Sequence, residues 1–358
     1  MTAKKIISLF LVLVMLGSLA TPVMAWGGAT HYGIVKNLDD RSGLPSYIYT
    51  YNLDYINGAI VPDIFFCANV QVGNWSLYKG CPENWRDLSL FVIVHDGNYF
   101  WNFYETAKLK SSNDQQRAYL AGWVSHAISD YYIHGGKPSF LNPPYPKGKF
   151  YLEYKRIDPY NLNAHITAEY MVDCLAYYEK GGSAPWPWEF KVYPSFIKSV
   201  FQEYRSRYGG NFPIPSESEI VSEFDKLAAS IVAEQATFNL GTYAYAKRTF
   251  GDYIDWWQAA INASYAYIVS FCPIKTSIQT LETNEKLVEK YHREHLGISL
   301  KKAVGEELIE EGFLTLQRHY DASGAYILRL ESNLSYEELG KVFIKKLNEK
   351  LEKVNRMK

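Results

Sequence analysis

The segment Gly122-Trp-Val-Ser-His126-Ala-Ile-Ser-Asp130-Tyr-Tyr-Ile-His134 decides the fold, because it completes a helical pattern that runs without interruption from Asp114. His126, Asp130 and His134 follow one another at intervals of four residues. Each interval turns only about 40° around a helix, so the three side chains lie along one stripe of the helix surface. A long helix that carries imidazole and carboxylate groups on one stripe is therefore the starting point for both the fold and the chemistry.

Helical patterns continue through most of the chain, and we find neither strong strand alternation nor an internal repeat. Two stretches rich in proline and glycine, 181–194 and 209–215, indicate ordered loops. The predicted helical stretches cover residues 30–38, 85–109, 114–134 with Asn113 or Asp114 as N-cap, 162–179, 216–250, 253–271 and a last amphipathic helix opened by the capping box Ser335-Tyr-Glu-Glu338. The sequence therefore predicts an all-α, multi-helix fold.

The first 25 residues have the pattern of a secretory signal peptide. Lys4 and Lys5 precede an apolar run, and small residues occupy positions −3 and −1 before a cleavage point after Ala25. Cleavage there leaves Trp26 as the first of 333 residues, with 35 basic against 38 acidic side chains and a net charge of −3. This charge gives no general attraction to nucleic acid or to anionic lipid. We expect a secreted or extracytoplasmic protein.

The four cysteines fit an exported protein, since an even number outside the cell favours disulfides. Cys67 and Cys81 flank a stretch that has the composition of a loop, and we predict that they pair. Cys174 with Cys272 is the remaining pair, and buried free thiols are the alternative. None of the four cysteines has the CxxC spacing of a thiolate zinc site.

A second helix repeats the four-residue spacing with His165 and Glu169. Zinc takes imidazole nitrogen and carboxylate oxygen as ligands, and a carboxylate such as Asp130 can bridge two ions. The alternative is a set of ordinary hydrogen bonds on helix faces. Clustering favours a metal site, because five of the eight histidines lie between residues 31 and 165. By contrast, we interpret His292, His295 and His319, which lie outside that stretch, as solvated side chains.

An ordered set of motifs resembles the zinc-dependent phospholipase C family. It consists of Trp26-Gly-Gly-Ala-Thr-His31, Gly58-Ala-Ile-Val-Pro-Asp63, His95-Asp96, the His126/Asp130/His134 helix and the His165/Glu169 helix. The resemblance extends over about residues 26–180. It implies a secreted, all-helical enzyme that holds three zinc ions.

The resemblance also implies a ligand set and a catalytic group. The amine and carbonyl of Trp26 with His31 would bind one ion, and Asp63, His95 and His126 would bind a second, with Asp130 shared between them. A third ion would be held by His134, His165 and Glu169. Asp63 would in addition orient or deprotonate the attacking water. Its sequence context alone favours the interpretation of Asp63 as an ordinary turn residue after Pro62.

The resemblance therefore implies that a phospholipid or another phosphodiester is the substrate, with transient contact to a membrane surface. We take 26–284 as a phospholipase C-like domain and 285–358 as a helical C-terminal extension. One alternative is a zinc-dependent nuclease or phosphatase on the same scaffold. Nucleases of this type usually have aspartate where this chain has Glu169. The other alternative is an exported helical protein that binds metal without catalysis, in which closed sites leave no position for water.

Overall fold

The computed structural model describes residues 27–39, 41–67, 71–72, 75–76, 78–95, 97–134, 162–184, 188–250, 254–270 and 285–356. Within these ranges the first helices are α1 (Gly28–Asp39), α2 (Ser46–Thr50), α3 (Asn52–Gly58), α4 (Ser89–His95), α5 (Gly97–Lys110), α6 (Asp114–His134) and α7 (Leu162–Glu179). Those that follow are α8 (Pro194–Tyr208), α9 (Glu217–Gln235), α10 (Leu240–Phe250), α11 (Ile254–Ser270), α12 (Glu285–Glu310) and α13 (Tyr336–Asn355). Two 3₁₀ turns cover Val61–Phe65 and Glu83–Trp85.

The predominance of helix confirms the all-α fold class. α6 and α7 have the bounds that the sequence predicts, and the Asn113 side chain accepts a hydrogen bond from the Gln116 amide (2.9 Å) at the start of α6. Ser335 and Glu338 form the expected capping box of α13. The prediction of a single helix over 216–250 was wrong. Helix α9 ends at Gln235 and a new helix, α10, begins at Leu240. The Asn239 side chain caps α10 by accepting a hydrogen bond from the Thr242 amide (3.0 Å).

Within the described ranges there are five strands, where the sequence analysis expected none. β1 (Gln71–Val72) pairs with β2 (Trp75–Ser76), and β3 (Glu189–Val192), β4 (Leu314–Tyr320) and β5 (Tyr326–Ser332) form an antiparallel sheet in the order β3-β5-β4. Between β4 and β5 the Asp321 side chain accepts from the amides of Ser323 and Ala325, and Gly324 has a positive φ of 78°. This tight turn joins two seven-residue strands, and helices still predominate in the part of the chain that the structure describes.

Two glycines bring α3 and α6 into backbone contact. A Cβ on Gly58 would lie 1.9 Å from the carbonyl oxygen of Tyr119, and a Cβ on Gly122 would lie 2.0 Å from that of Tyr55. No larger residue fits at either position without moving one helix, since real Cβ atoms do not approach so closely. The close approach places the chain that leaves α3, and hence the turn Val61–Phe65, beside the middle of α6.

The long helix α9 lies in the centre of the molecule and buries charged as well as apolar side chains. α12 packs along it, and a Cβ on Gly305 would lie only 2.2 Å from the carbonyl oxygen of Lys226 on α9. No helix in the described ranges has both the length and the hydropathy that a membrane crossing requires.

The predicted disulfide between Cys67 and Cys81 is present, with Cα atoms 5.6 Å apart. Cys174 is buried and forms no disulfide with another described cysteine, while Cys272 lies outside the described residues. The predicted signal peptide and Trp26 also lie outside them, and the division of the chain at residue 284 stays a prediction.

Candidate metal centre

Four side chains from separate parts of the sequence meet beside the contact between α3 and α6. Asp63 comes from the 3₁₀ turn, His95 from the end of α4, and His126 and Asp130 from successive turns of α6. One ligand atom from each lies within 4.8 Å of the corresponding atom of every other. Asp63, His126 and Asp130 are buried, so the cluster lies in a largely dry environment that strengthens its electrostatic interactions.

The backbone fixes which ring nitrogen of two histidines faces the cluster. Nδ1 of His126 lies 2.7 Å from the carbonyl oxygen of Ala59, and Nδ1 of His95 lies 3.0 Å from that of Phe91. A carbonyl oxygen can only accept, so each Nδ1 carries the proton and donates it. Both Nε2 atoms, which would carry lone pairs in the neutral rings, point into the cluster. This orientation is typical of metal-binding histidines.

His31 joins the cluster from α1 with the same orientation. Its Nδ1 lies 3.1 Å from the hydroxyl oxygen of Ser129, and that hydroxyl already donates to the carbonyl oxygen of His126 (2.8 Å). Ser129 therefore accepts from His31, whose Nε2 lies 3.4 Å from Oδ1 of Asp130. The His31 ring also stacks on that of His126, with the centroids 3.8 Å apart, and this contact fixes its plane.

Asp130 divides its two oxygens between the histidines. Oδ1 faces His31, whereas Oδ2 lies 3.3 Å from Nε2 of His126 and 3.7 Å from Nε2 of His95. Asp63 is on the side of the latter pair, with Oδ1 3.5 Å from His126 and 3.7 Å from His95. A carboxylate with one oxygen toward each of two ligand groups suits a bridge between two cations about 3.5–4 Å apart.

The histidine pair provides a test of whether these residues fit a cation. Nε2 of His95 and Nε2 of His126 lie 3.0 Å apart, although both rings already donate through Nδ1. Two facing lone pairs repel each other unless a proton or a metal ion lies between them. The donor set of imidazoles and carboxylates is the one zinc accepts, so the cluster fits a zinc site.

Burial and charge determine how the histidines titrate in the metal-free protein. Burial, together with the positive field of His126, lowers the pKa of His31 to about 3. Burial also opposes the charged form of His126, but the negative charges of Asp130 and Asp63 and the hydrogen bond to Asp130 outweigh it and raise its pKa to about 9. The two carboxylates therefore favour the protonated form of His126.

Glu169 and Asp173 lie one turn apart on α7, and both are fully buried. Burial raises the pKa of Glu169 well above its usual value, and the negative charge of Asp130 is among the causes, which places Glu169 near the cluster. Asp173 accepts from the backbone amide (2.9 Å) and the hydroxyl of Thr30, the residue before His31. α7 therefore carries a carboxylate near the cluster and a second one that holds α1 in place.

The remaining predicted ligands are described in part or not at all. His134 lies on the last turn of α6 and His165 on the first turn of α7, but their side chains are outside the described residues, as is Trp26. Their roles as ligands stay predictions. Ser129 was missed by the sequence analysis, and its position three residues after His126 is too common a spacing to have indicated its role.

Comparisons with known proteins agree with this geometry. A family model described as zinc-dependent phospholipase C matches residues 30–211. Two similar proteins of Archaeoglobus fulgidus, each named only as an uncharacterized protein, are 28% identical over 237 residues and 26% identical over 189 residues. These matches cover 66% and 53% of this chain and 60% and 53% of the relatives, so the chain spans just over half of their length. No solved structure matches.

The matched region contains every side chain of the cluster, including His31. It also contains α6 and α7, which carry two of the five motifs of the resemblance. Since the match covers half of the chain, the protein belongs to the zinc-dependent phospholipase C family.

Proposed function

We propose that this protein is a secreted zinc-dependent hydrolase of phosphodiesters, and that its substrates are phospholipids, which it cleaves to diacylglycerol and a phosphorylated headgroup. The main support is the position of Asp130 between His31 on one side and the pair His95 and His126 on the other. Such an arrangement suits two cations that share one carboxylate. Membership of the family supports the choice of zinc and of phospholipid.

The residues of the cluster have separate tasks in this proposal. His95, His126 and Asp63 would hold one cation, and His31 with the terminal amine and carbonyl of Trp26 would hold another, with Asp130 shared by the two sets. His134, His165 and Glu169 would hold a third. Zinc, when bound, would lower the pKa of a water to about 7 and supply positive charge that stabilises the transition state. Asp63 would orient the attacking water or accept its proton.

The family resemblance also supports the proposed route of the protein to its substrate. Removal of residues 1–25 would release Trp26 as a free N-terminus, and export would bring the enzyme to lipid surfaces outside the cytoplasm. The net charge of −3 that remains weighs against a nucleic acid as the substrate, because it gives no general attraction to a polyanion.

The test combines composition, the N-terminus and activity. Purified mature protein is sequenced from its N-terminus and analysed for bound metals. It is then assayed with phosphatidylcholine vesicles, single-stranded DNA and a phosphomonoester, each with added zinc. We expect Trp26 as the first residue, two to three zinc ions per chain as the family ligand set implies, and release of diacylglycerol.

Asp130→Asn tests the site itself, because an amide cannot supply two anionic oxygens to two cations. We expect loss of diacylglycerol release and a lower zinc content. Asp114→Asn is the matched control, since Asp114 lies at the exposed start of the same helix and pairs only with Arg117 (2.6 Å) among the described residues. Cleavage of DNA alone would instead support a nuclease, and bound zinc without any hydrolysis would support a metal-binding protein that is not an enzyme.

A further inference from the structure

A buried lysine from outside the matched family region reaches the back of the metal centre. Lys302 lies on α12 and is fully buried. Its Nζ donates to the carbonyl oxygen of Ile64 at 2.7 Å and lies 2.7 Å from Oε2 of Glu223 on α9. Ile64 follows Asp63 directly, so this contact lies one peptide away from a predicted metal ligand.

The Ile64 carbonyl is at the end of the 3₁₀ turn Val61–Phe65. The last carbonyl groups of a helix have no partner within it, and a buried polar group without a partner is costly. Lys302 supplies that partner from a neighbouring helix. The turn is short, and one hydrogen bond from the Phe66 amide to the Asp63 carbonyl (3.2 Å) closes its end. The hydrogen bond from Lys302 therefore contributes strongly to the orientation of the last peptides of this turn.

Glu223 is the anchor that keeps Lys302 in this position. It also accepts from the hydroxyl of Tyr78 and from Nζ of Lys226 (2.9 Å). Lys226 in turn donates to the carbonyl oxygen of Gly80 at 2.8 Å and lies 3.3 Å from Glu306 on α12. The described partners thus leave Lys302 little freedom, and the negative charge of Asp63 acts on it as well.

We propose, on the basis of the proposed zinc function, that Lys302 is a positioning residue for the metal centre. By holding the Ile64 carbonyl it fixes the peptide between Ile64 and Phe65, one residue after Asp63, and so it holds the Asp63 carboxylate against His95 and His126. The segment after residue 211 therefore takes part in building the site, although the family match ends there. Partners behind metal ligands are typically worth 10–100-fold in metal affinity or activity.

The first test measures zinc binding to the full chain after metal removal. Lys302→Met is expected to weaken the binding of zinc by about 10–100-fold. It is also expected to change the visible absorption spectrum of the cobalt-substituted protein, because the Asp63 ligand shifts. Lys350→Met is the matched control: Lys350, on α13, is also buried, although less completely than Lys302 (7% against 0% exposed), and its pair with Glu307 at 2.6 Å joins α13 to α12. It should lower the thermal stability and leave zinc affinity and spectrum unchanged.

A double variant separates positioning from charge balance. The single variant Lys302→Met removes one of the cations that face Glu223. The double variant Lys302→Met with Glu223→Gln removes both charges of that pair, and Lys226 can still pair with Glu306. If the double variant still binds zinc more weakly than the wild type, the contact with Ile64 is responsible. Recovery of wild-type affinity in the double variant would overturn the proposal, because Lys302 would then act only by neutralising Glu223.

Hydrogen exchange of the metal-free protein distinguishes failure of this inference from failure of the proposed function. Lys302→Met, but not Lys350→Met, should speed exchange in a peptide covering residues 61–66, which contains the Phe66 amide. If Lys302→Met speeds exchange but the wild-type protein binds no zinc, Lys302 does position the turn and the proposed metal function is wrong. Unchanged exchange together with unchanged zinc affinity would reject the positioning role alone.

Discussion

At the scale of single residues, the cluster depends on hydrogen bonds formed by the ring nitrogens that face away from it. His126 and His95 each give their Nδ1 proton to a backbone carbonyl, and His31 gives its own to Ser129. Three rings are thereby fixed with Nε2 toward Asp63 and Asp130. A metal ion that enters meets nitrogens already in place, which lowers the cost of ordering ligands on binding.

The raised pKa of His126 gives a prediction about zinc binding. With a pKa of about 9 in the metal-free protein, His126 is protonated at pH 7.5, and zinc must displace that proton. Calorimetric titration with zinc in buffers of different ionisation enthalpy should show release of about one proton or more per chain. An enthalpy that is the same in all buffers would contradict this prediction.

The raised pKa of His126 also predicts how the stability of the metal-free protein changes with pH. A histidine whose pKa is raised on folding contributes stability fully below its ordinary value of 6.5, and this contribution is lost as the pH rises through about 9. The unfolding temperature of the metal-free protein should therefore fall over that range. The zinc-loaded protein should not show this fall, since zinc replaces the proton.

At the scale of elements, the contact between α3 and α6 determines where the turn with Asp63 lies. Gly58 and Gly122 allow the two helices to touch through their backbones, and Ala59, which follows α3, then meets His126. The helices contribute the ligands, but the distance between the helices decides whether the ligands meet.

Gly122→Ala tests this dependence. Its Cβ would lie 2.0 Å from the Tyr55 carbonyl, so α3 must move, at a cost of about 1–3 kcal/mol in unfolding free energy. We expect a lower unfolding temperature and weaker zinc binding, because the Ala59 carbonyl moves away from His126. Gly241→Ala, on the exposed start of α10, is the control, since its Cβ would meet only the Asn239 side chain at 3.1 Å. Unchanged zinc affinity in Gly122→Ala would contradict the role of the helix contact.

At the scale of the whole molecule, α9 and α12 form a charged interface in the interior. Two consecutive lysines of α12 reach different turns of α9: Lys301 lies 2.8 Å from Glu234, and Lys302 lies 2.7 Å from Glu223. All four side chains are buried. Removing one partner of a buried ion pair typically costs 3–5 kcal/mol, so α9 depends on α12 for its charge balance.

A chain truncated after residue 284 tests this dependence. Without α12, Glu234 loses Lys301 and Glu223 loses Lys302 while keeping Lys226. We expect the fragment 26–284 to be unfolded or aggregated, as judged by circular dichroism and gel filtration. Recovery of a folded fragment that binds zinc would show the opposite, namely that 285–358 is the separable extension predicted from the sequence.

The sequence was sufficient wherever a local pattern carries the information. The bounds of α6 and α7, the capping box of α13 and the Cys67–Cys81 disulfide follow from helix periodicity, caps and loop composition. The break after Gln235 and the strands β4 and β5 were missed, because a short cap by Asn239 and a four-residue turn are weak signals beside long helical patterns.

By itself the sequence determined which residues have ligand chemistry and on which helix stripes they stand, since spacing along a helix fixes direction around it. Only the tertiary structure decided that Asp63 and His95 lie against His126 and Asp130, and that Lys302, more than 200 residues from Asp63, stands behind them. The physical reason is that distances between elements are set by packing, by small residues where backbones touch and by buried charges that require partners. None of these determinants produces a periodic pattern that can be recognised in the sequence.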